Sequence, residues 1–252
     1  MRLATFNILH GRSPADGRVD LDRFARAVRS LDADVLGLQE VDRGQERSGR
    51  SDLTAVAAEA MGAVASRFVA ALAGTPGATW AAATGEEQPD AGAYGVALLS
   101  RYPVRGWQAV RLPAARAPVP VLFRGDRRPR LVRDEPRVAV CAEVDGPDGA
   151  LTVATTHLSY VPGWNALQLR RAVKAVRAAP APRVLMGDLN LGPGVAERVS
   201  GMSSAVTGLT YPADEPTRQL DHVLVDGLPV RPGSGEVLRL DLSDHRALVV
   251  DV

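Results

Sequence analysis

Val184-Leu185-Met186-Gly187-Asp188-Leu189-Asn190 is the stretch whose reading decides the fold of this chain. Apolar residues suited to a buried strand run into a glycine, then into a carboxylate and a carboxamide two positions apart, and Gly192-Pro193-Gly194 follows as loop. Asp188 and Asn190 therefore stand at the end of a strand. Residues at i and i+2 at the mouth of a sheet can face one crevice, where a carboxylate takes or orients a proton and an amide holds an oxygen. Asp and Asn beside Gly are also ordinary turn formers, so the stretch taken alone leaves a turn and a site equally open. Polar residues at other strand ends of the chain decide between the two.

Upstream of this strand, Asn165 to Ala178 reads as an amphipathic helix with Leu167, Val173 and Val176 among its apolar positions. Before it, Arg137 to Val144 and Leu151 to Thr156 form a hairpin-like pair, the second strand delivering His157 at its end. Residues 113 to 136 read as a long irregular segment in which Arg116, Arg124, Arg127, Arg128, Arg130 and Arg133 face Asp126, Asp134 and Glu135. Loops of that length are uncommon unless functional or disordered. The segment is either a solvated arginine-rich loop or an arm whose Arg127, Arg128 and Arg130 meet a phosphate-bearing substrate. Further back, Tyr94 to Arg101 and Val104 to Leu112, joined at Tyr102-Pro103, read as a strand pair in an antiparallel region. Gly74 to Gly92, with Pro89, reads as loop, Val64 to Leu72 as a strand, and Leu53 to Met61 as a helix closed by Gly62.

The chain opens on a strand, Arg2 to Ile8, then a helix from Asp20-Leu21 with Leu21, Phe24, Val28 and Leu31 at helical spacing, then a short apolar run ending in Glu40. That is a strand–helix–strand opening. Downstream of Asn190, Gly192 to Tyr211 reads as loop with one helical turn, followed by strands around Gln219–Val225 and Ala247–Asp251. No repeat or linker interrupts the order, so residues 1–252 are expected to form a single domain.

Composition narrows the class. The 252 residues are 46% hydrophobic, enough for one large core, and 30 basic residues nearly cancel 29 acidic ones, so net charge demands neither nucleic acid nor an anionic membrane. The lone Cys141 lies in an apolar run and excludes an internal disulfide or thiolate metal cluster. No run is long enough to span a bilayer, and the first residues read as a strand rather than a signal core, so the cytoplasm is the expected compartment and a monomer the expected state.

Asn7, Glu40, His157, Asp188, Asn190, Asp221, Asp244 and His245 all stand where apolar runs stop. Each one singly is as readily a cap, a surface residue or a structural histidine. Jointly they are carboxylates, amides and imidazoles without a Ser or Cys nucleophile motif, a set that suits a hard cation such as Mg²⁺ or Mn²⁺. Such a site neutralises charge on a phosphoryl group with metal and protonated histidines while a carboxylate aligns water.

Phe6-Asn7-Ile8, Leu38-Gln39-Glu40-Val41-Asp42, Ala97–Pro103, Thr156-His157-Leu158, Gly187-Asp188-Leu189-Asn190, Leu220-Asp221-His222 and Ser243-Asp244-His245 resemble, in order, the motifs of the endonuclease/exonuclease/phosphatase (deoxyribonuclease I-like) superfamily. With Asp16-Gly17 and Arg47-Ser48, the opening is most similar to its small bacterial metal-dependent hydrolases. The resemblance implies an α/β fold, a four-layer sandwich of two packed, mainly antiparallel sheets flanked by helices. It also implies Asn7, Glu40 and Asp244 at the metal, Asp188 as base, Asn190 on phosphate or metal-bound water, and His157 and His245 on phosphate oxygens, with Asp221 orienting His245. Two departures stand out: nuclease members back the first histidine with an acid near 94–99, where this chain has Tyr94, Gly95 and Val96, and many relatives have Asn at Val96. His10 and His222 lie in matching motifs without an assigned role.

The expected activity is a divalent-metal-dependent phosphoester hydrolase, a phosphodiesterase or phosphatase acting on a small or lipid-like substrate. The alternatives are a nuclease acting on DNA or RNA and a catalytically silent phosphate-binding module. Near-neutral charge and 4% aromatic content disfavour tracking of a nucleic-acid backbone.

Overall fold

The computed structural model describes residues 1–85, 91–122, 127–230 and 233–252; Pro89, Arg124 and Asp126 fall outside them. β1 (Arg2–Asn7) leads through α1 (Leu21–Leu31) to β2 (Val35–Arg43), which lies parallel to it. The Asp20 carboxylate starts α1 by accepting the Arg23 N–H at 2.9 Å. α2 (Leu53–Met61) starts in the same way on Asp52 and stops at Gly62 in the left-handed conformation. β3 (Ala65–Ala73), the two-residue β4 (Ala81–Ala82) and β5 (Ala93–Ser100) extend this sheet. β6 (Val104–Leu112), a hairpin of β7 (Val119–Val121) and β8 (Arg130–Val132), and the antiparallel pair β9 (Arg137–Gly146) and β10 (Gly149–His157) follow. α3 (Trp164–Arg177) carries the chain to β11 (Arg183–Asp188), parallel to β10. α4 (Pro193–Ser200), β12 (Ser203–Ser204), β13 (Asp221–Asp226), β14 (Gly235–Leu238) and β15 (Ala247–Asp251) complete the chain.

The strands form a seven-stranded sheet, β14-β15-β1-β2-β5-β3-β4, and a six-stranded sheet, β12-β13-β11-β10-β9-β6. Each holds a single parallel pair, β1–β2 and β10–β11, joined by a helical crossover; the other pairings are antiparallel. One apolar layer lies between the sheets, with Leu3, Val35, Val96 and Leu98 from the first meeting Val140, Val153, Val184, Met186 and Val223 from the second. A second layer packs Phe24, Val28 and Leu53 of the helices on Phe6, Leu36 and Leu38, and a third packs Leu169, Val173 and Ala196 on Ala154, Leu185 and Leu224. The result is the expected α/β four-layer sandwich.

Five local readings differ, one of them Gly74–Gly92, read as loop, which holds the two-residue β4 paired to β3. Tyr94–Arg101 and Val104–Leu112 are not partners: β5 is flanked on both edges by β2 and β3, so no edge is left for β6, which pairs with β9 in the other sheet. Residues 113–136 are not wholly irregular, since β7 and β8 pair within them. Gly192–Tyr211 holds a two-turn helix started by Pro193, whose fixed φ suits the first helical position. Leu167 is 50% exposed, on the solvent face of α3 rather than in the core. No described helix is long and apolar enough to cross a membrane.

Candidate active site

Alternation along the strands builds the site. Leu3 of β1, Val153 of β10, Val184 and Met186 of β11, and Val223 and Val225 of β13 all face the layer between the sheets. The same parity continued to the strand ends brings Asn7, His157, Asp188 and Asp221 to that gap. Polar residues thus stand where the apolar layer gives out. One layer deeper, the Gln39 amide closes the gap by donating to Thr155 Oγ1 at 2.8 Å and Thr5 Oγ1 at 3.0 Å. Asn7 and Glu40 come from the first parallel pair and His157 and Asp188 from the second, all at or near the carboxyl ends, the usual place for ligands in α/β sheets.

Gly187 makes the turn into the site possible. Its φ is +140°, and a Cβ there would lie 1.9 Å from the Thr156 carbonyl oxygen, so no side chain fits. Asp188, only 2% exposed, then accepts the Asn190 N–H on Oδ1 at 3.0 Å and the Asn7 Nδ2–H on Oδ2 at 3.1 Å. The Leu189 N–H donates to the Leu220 carbonyl, tying this turn to the start of β13.

His245 sits between two carboxylates: its Nδ1 is 2.9 Å from Asp221 Oδ2 and its Nε2 is 3.7 Å from Asp188 Oδ2. Burial pulls its pKa down, but Asp221 and then Asp188 outweigh burial and raise it to about 10, so the ring is an imidazolium at neutral pH. Burial pushes Asp188 up to about 7, opposed by the His245 charge and aided by that of Asp221. The ring of Tyr211 covers His245, with centroids 4.8 Å apart. Ser243 Oγ donates to the Asn7 carbonyl at 2.6 Å and accepts the His245 N–H, which fixes the His245 backbone to β1.

His157 is held differently. Its Nε2 is 3.4 Å from Asp188 Oδ2, and behind it Arg137 Nη1 lies 3.3 Å from Nδ1. Burial first, then the charges of Arg137 and His245, hold its pKa well below the usual imidazole range. His157 is therefore neutral, a state that the sequence leaves open. Asn190 Nδ2 lies 3.4 Å from the same Nε2 and donates to the Leu158 carbonyl at 3.0 Å.

Glu40 owes its place to a β-bulge. Gln39 pairs with Val96 and Val41 with Gly95, so Glu40 is the extra residue, with φ +57°. Its Oε1 accepts from Asn7 Nδ2 at 3.1 Å, and burial raises its pKa, with nearby Asp244 adding to the effect. Asn7 meets these carboxylates with its NH₂. Its Oδ1 accepts the Leu9 N–H at 3.1 Å and keeps a second lone pair, while its NH₂ orients Glu40.

The donor set fits a hard divalent cation. Glu40, Asp188, Asp221 and Asp244 stand against the two cationic groups His245 and Arg137, and Asp221 Oδ1 is buried without a hydrogen-bond partner. Atoms of Asp188, Asp221 and His245 lie within 4.8 Å of one another, a cluster compatible with a divalent metal site. An imidazolium has no lone pair to give, so the donors there are the oxygens.

The remaining sequence candidates lie elsewhere. Arg127 and Arg128 are exposed before β8 and Arg130 is exposed at its start; none is joined to the site by a described hydrogen bond. The roots of that arm are anchored near His157, where Asp134 accepts from the Ala115 N–H and from Ser159 Oγ. His222 points to the opposite face from Asp221 and bonds the Leu191 carbonyl through Nε2 at 2.8 Å, a structural contact. Burial, then Arg47, lowers the pKa of His10 to about 4. Arg137, Tyr211 and Ser243 were missed by the sequence reading. For Arg137 a signal existed, an arginine heading the apolar run Val138–Ala142.

The Endonuclease/Exonuclease/phosphatase family model matches residues 4–245. A comparison with curated proteins finds no match. Among solved structures, an endonuclease/exonuclease/phosphatase from Beutenbergia cavernae DSM 12333 is 22% identical over 99% of this chain and 70% of its own, with a TM-score of 0.65. A mannosyl-6-phosphatase from Bacteroides thetaiotaomicron VPI-5482 is 14% identical, covering 100% and 98% of the two chains at a TM-score of 0.61. Sphingomyelinase C from Streptomyces griseocarneus is 16% identical, covering 99% and 98% at 0.61. At these identities the structures speak for the fold, while the family model spans every strand end described above. This chain belongs to the Endonuclease/Exonuclease/phosphatase family, whose members hydrolyse phosphoesters.

Proposed function

We propose that this chain is a divalent-metal-dependent phosphoester hydrolase that attacks phosphorus in line with water, on a small or lipid-like phosphodiester or phosphomonoester. The observation that carries the reading is Asp188, a buried carboxylate set between neutral His157, cationic His245 and the Asn7 amide. A carboxylate so placed orients water and takes its proton. His245, kept charged by Asp221, directs Nε2–H at the phosphoryl oxygens, where negative charge grows in the transition state. Asn190 holds a phosphoryl oxygen at the mouth of the site. Glu40 and Asp244, with Asn7 steadying Glu40, would hold Mg²⁺ or Mn²⁺, which when bound supplies Lewis-acid polarisation of a phosphoryl oxygen.

A cavity of about 450 Å³ opens beside Ser243 and Asp244, with Asp188, His157 and His245 outside its lining. It is lined by Asp16, Asp214, Asp241 and Asp244 against Arg23 and Arg239, and both arginines are paired, to Asp16 at 2.6 Å and Asp214 at 2.5 Å. An acidic wall repels a polyanionic backbone. The names of two structural relatives, a mannosyl-6-phosphatase and a sphingomyelinase C, point the same way. The exposed Arg127 and Arg128 on the arm favour the second reading, a nuclease.

The test is turnover by protein loaded with Mg²⁺ or Mn²⁺, on mono- and bis-nitrophenyl phosphate, sugar phosphates, phospholipids, nucleotides, plasmid DNA and RNA. Hydrolysis of small or lipid esters in excess of nucleic acid is expected, with loss in chelator. Cleavage of DNA or RNA alone would move the assignment to the nuclease, and no turnover of any ester would leave the phosphate-binding module.

A further inference from the structure

We propose that Arg137 is a positioning residue that holds His157 as the Nε2–H tautomer, making this imidazole a neutral hydrogen-bond donor rather than a cation. The inference rests on the reading of Asp188 as the base.

The geometry fixes the proton. A guanidinium has only N–H donors, so the 3.3 Å contact from Arg137 Nη1 makes His157 Nδ1 an acceptor. The ring proton is then on Nε2, directed at Asp188 Oδ2 3.4 Å away. The Nδ1–H tautomer and the imidazolium would both set N–H against N–H at Arg137, and the imidazolium would add a like charge. Asn190 Nδ2 lies 3.4 Å from the same Nε2 with one of its two N–H groups on the Leu158 carbonyl, so in this tautomer its second N–H turns away from Nε2 toward the mouth of the site.

Arg137 has few other uses. It is 5% exposed, and among the described residues its Nε is buried without a partner and its ion pair is a loose one, Nη2 to Glu135 Oε2 at 3.7 Å. The carboxylates of Glu135, Glu40 and Asp134 surround it and outweigh the cost of burying the charge. Next to it stand Tyr94, Gly95 and Val96, none of them an acid. An acid behind an imidazole favours its cation; an arginine does the reverse. The two histidines beside Asp188 are thus set apart by their rear partners, His245 to the cation by Asp221 and His157 to the neutral ring by Arg137. A second imidazolium against Asp188 would weaken it as a base. A neutral Nε2–H orients the carboxylate, or a phosphoryl oxygen, without that cost.

The experiment is ¹⁵N NMR of histidine-labelled protein at neutral pH. The chain has four histidines, and H157Q identifies the signal of interest. Wild type is expected to show His157 protonated at Nε2 alone. In R137M the ring should populate the other tautomer or the imidazolium, and kcat should fall about 10- to 100-fold with KM little changed, as for other residues that orient an imidazole from behind. R137K, which keeps a donor and the charge, should restore part of both. A wild-type His157 protonated at Nδ1, or ring signals unmoved in R137M, would overturn the proposal. If R137M does not fold, the wild-type spectrum and R137K decide. The spectrum does not depend on turnover: protein that hydrolyses no ester but shows the expected shifts would sink the proposed function and leave the role of Arg137 standing.

Discussion

Replacing Asp221 by Asn separates the charge behind His245 from its hydrogen bond. Asp221 is fully buried, with Oδ2 2.9 Å from His245 Nδ1 and Oδ1 without a partner. Asn keeps an acceptor for Nδ1–H, but the charge that holds the imidazolium is gone. Removing one partner of a buried ion pair costs about 3–5 kcal/mol. Since the acceptor survives, about 2–3 kcal/mol of transition-state stabilisation should be lost, roughly 30- to 160-fold in kcat. H245A removes the donor itself and should cost about 10²–10⁴. In the double variant Asp221→Asn has nothing left to act on and should add little, so the coupling should be about 2–3 kcal/mol, within the range for directly bonded residues. The assay is kcat/KM on bis-nitrophenyl phosphate at fixed saturating Mn²⁺ for the four proteins, with circular dichroism to confirm folding. A second readout is stability in chelator. The pKa of His245 is about 10 against 6.5 in the unfolded chain, so its contribution is complete below about pH 6.5 and is lost as pH rises through about 10. That alkaline slope should flatten in D221N. Losses that multiply in the double variant would refute the pairing.

The other consequences are tested as simply. E40Q keeps the shape of a buried carboxylate whose pKa is raised, first by burial, and removes its charge, so calorimetric Mn²⁺ affinity should fall; unchanged affinity would remove Glu40 from the metal. G187A forces a Cβ to within 1.9 Å of the Thr156 oxygen at φ +140° and should cost about 3 kcal/mol or more, lowering Tm by several degrees; a wild-type Tm would mean that the strand end relaxes freely. Replacing Arg127, Arg128 and Arg130 together by Ala should raise KM for an anionic substrate about 3- to 160-fold with kcat unchanged, three exposed charges at about 0.2–1 kcal/mol each; a fall in kcat alone would place the arm in the chemistry.

The layered fold was legible because it rests on local patterns. The parallel opening follows from two short apolar runs around a helix with Phe24, Val28 and Leu31 at helical spacing. Where strands pair was less legible, because pairing is decided by edges. Nothing within Tyr94–Leu112 says that β2 and β3 occupy both sides of β5, and only that occupancy sends β6 to the other sheet. The same limit applies at the site. Asn7, Asp188 and Asp221 stand where apolar runs end, which a sequence displays, and the structure brings them to one gap. Arg137 is twenty residues from His157, and its contact depends on the register of β9 against β10.

Regular strands alone could not have produced this site. Alternation offers one side chain in two to the gap between the sheets, yet Gln39 and Glu40 both act there, as do Asp188 and Asn190, whose spacing matches but whose strand has already ended. The backbone meets the demand by local inversion. Leu9, His10, Glu40, Asn190 and Ser243 have positive φ, and among the described non-glycine residues only Asp32 and Arg50 share that feature away from the site. Such residues cost on the order of 1–3 kcal/mol each unless their surroundings hold them. Here the holding bonds come from the site's own side chains: Asn7 Oδ1 takes the Leu9 N–H, Asp188 Oδ1 takes the Asn190 N–H, and Ser243 Oγ ties its inverted residue to the Asn7 carbonyl. Asn7 and Asp188 therefore shape the backbone that positions their neighbours as well as facing the substrate. Their replacement should disturb geometry along with charge, whereas Glu40, which is inverted by a bulge and among the described residues accepts only from Asn7, can lose its charge with the backbone left in place.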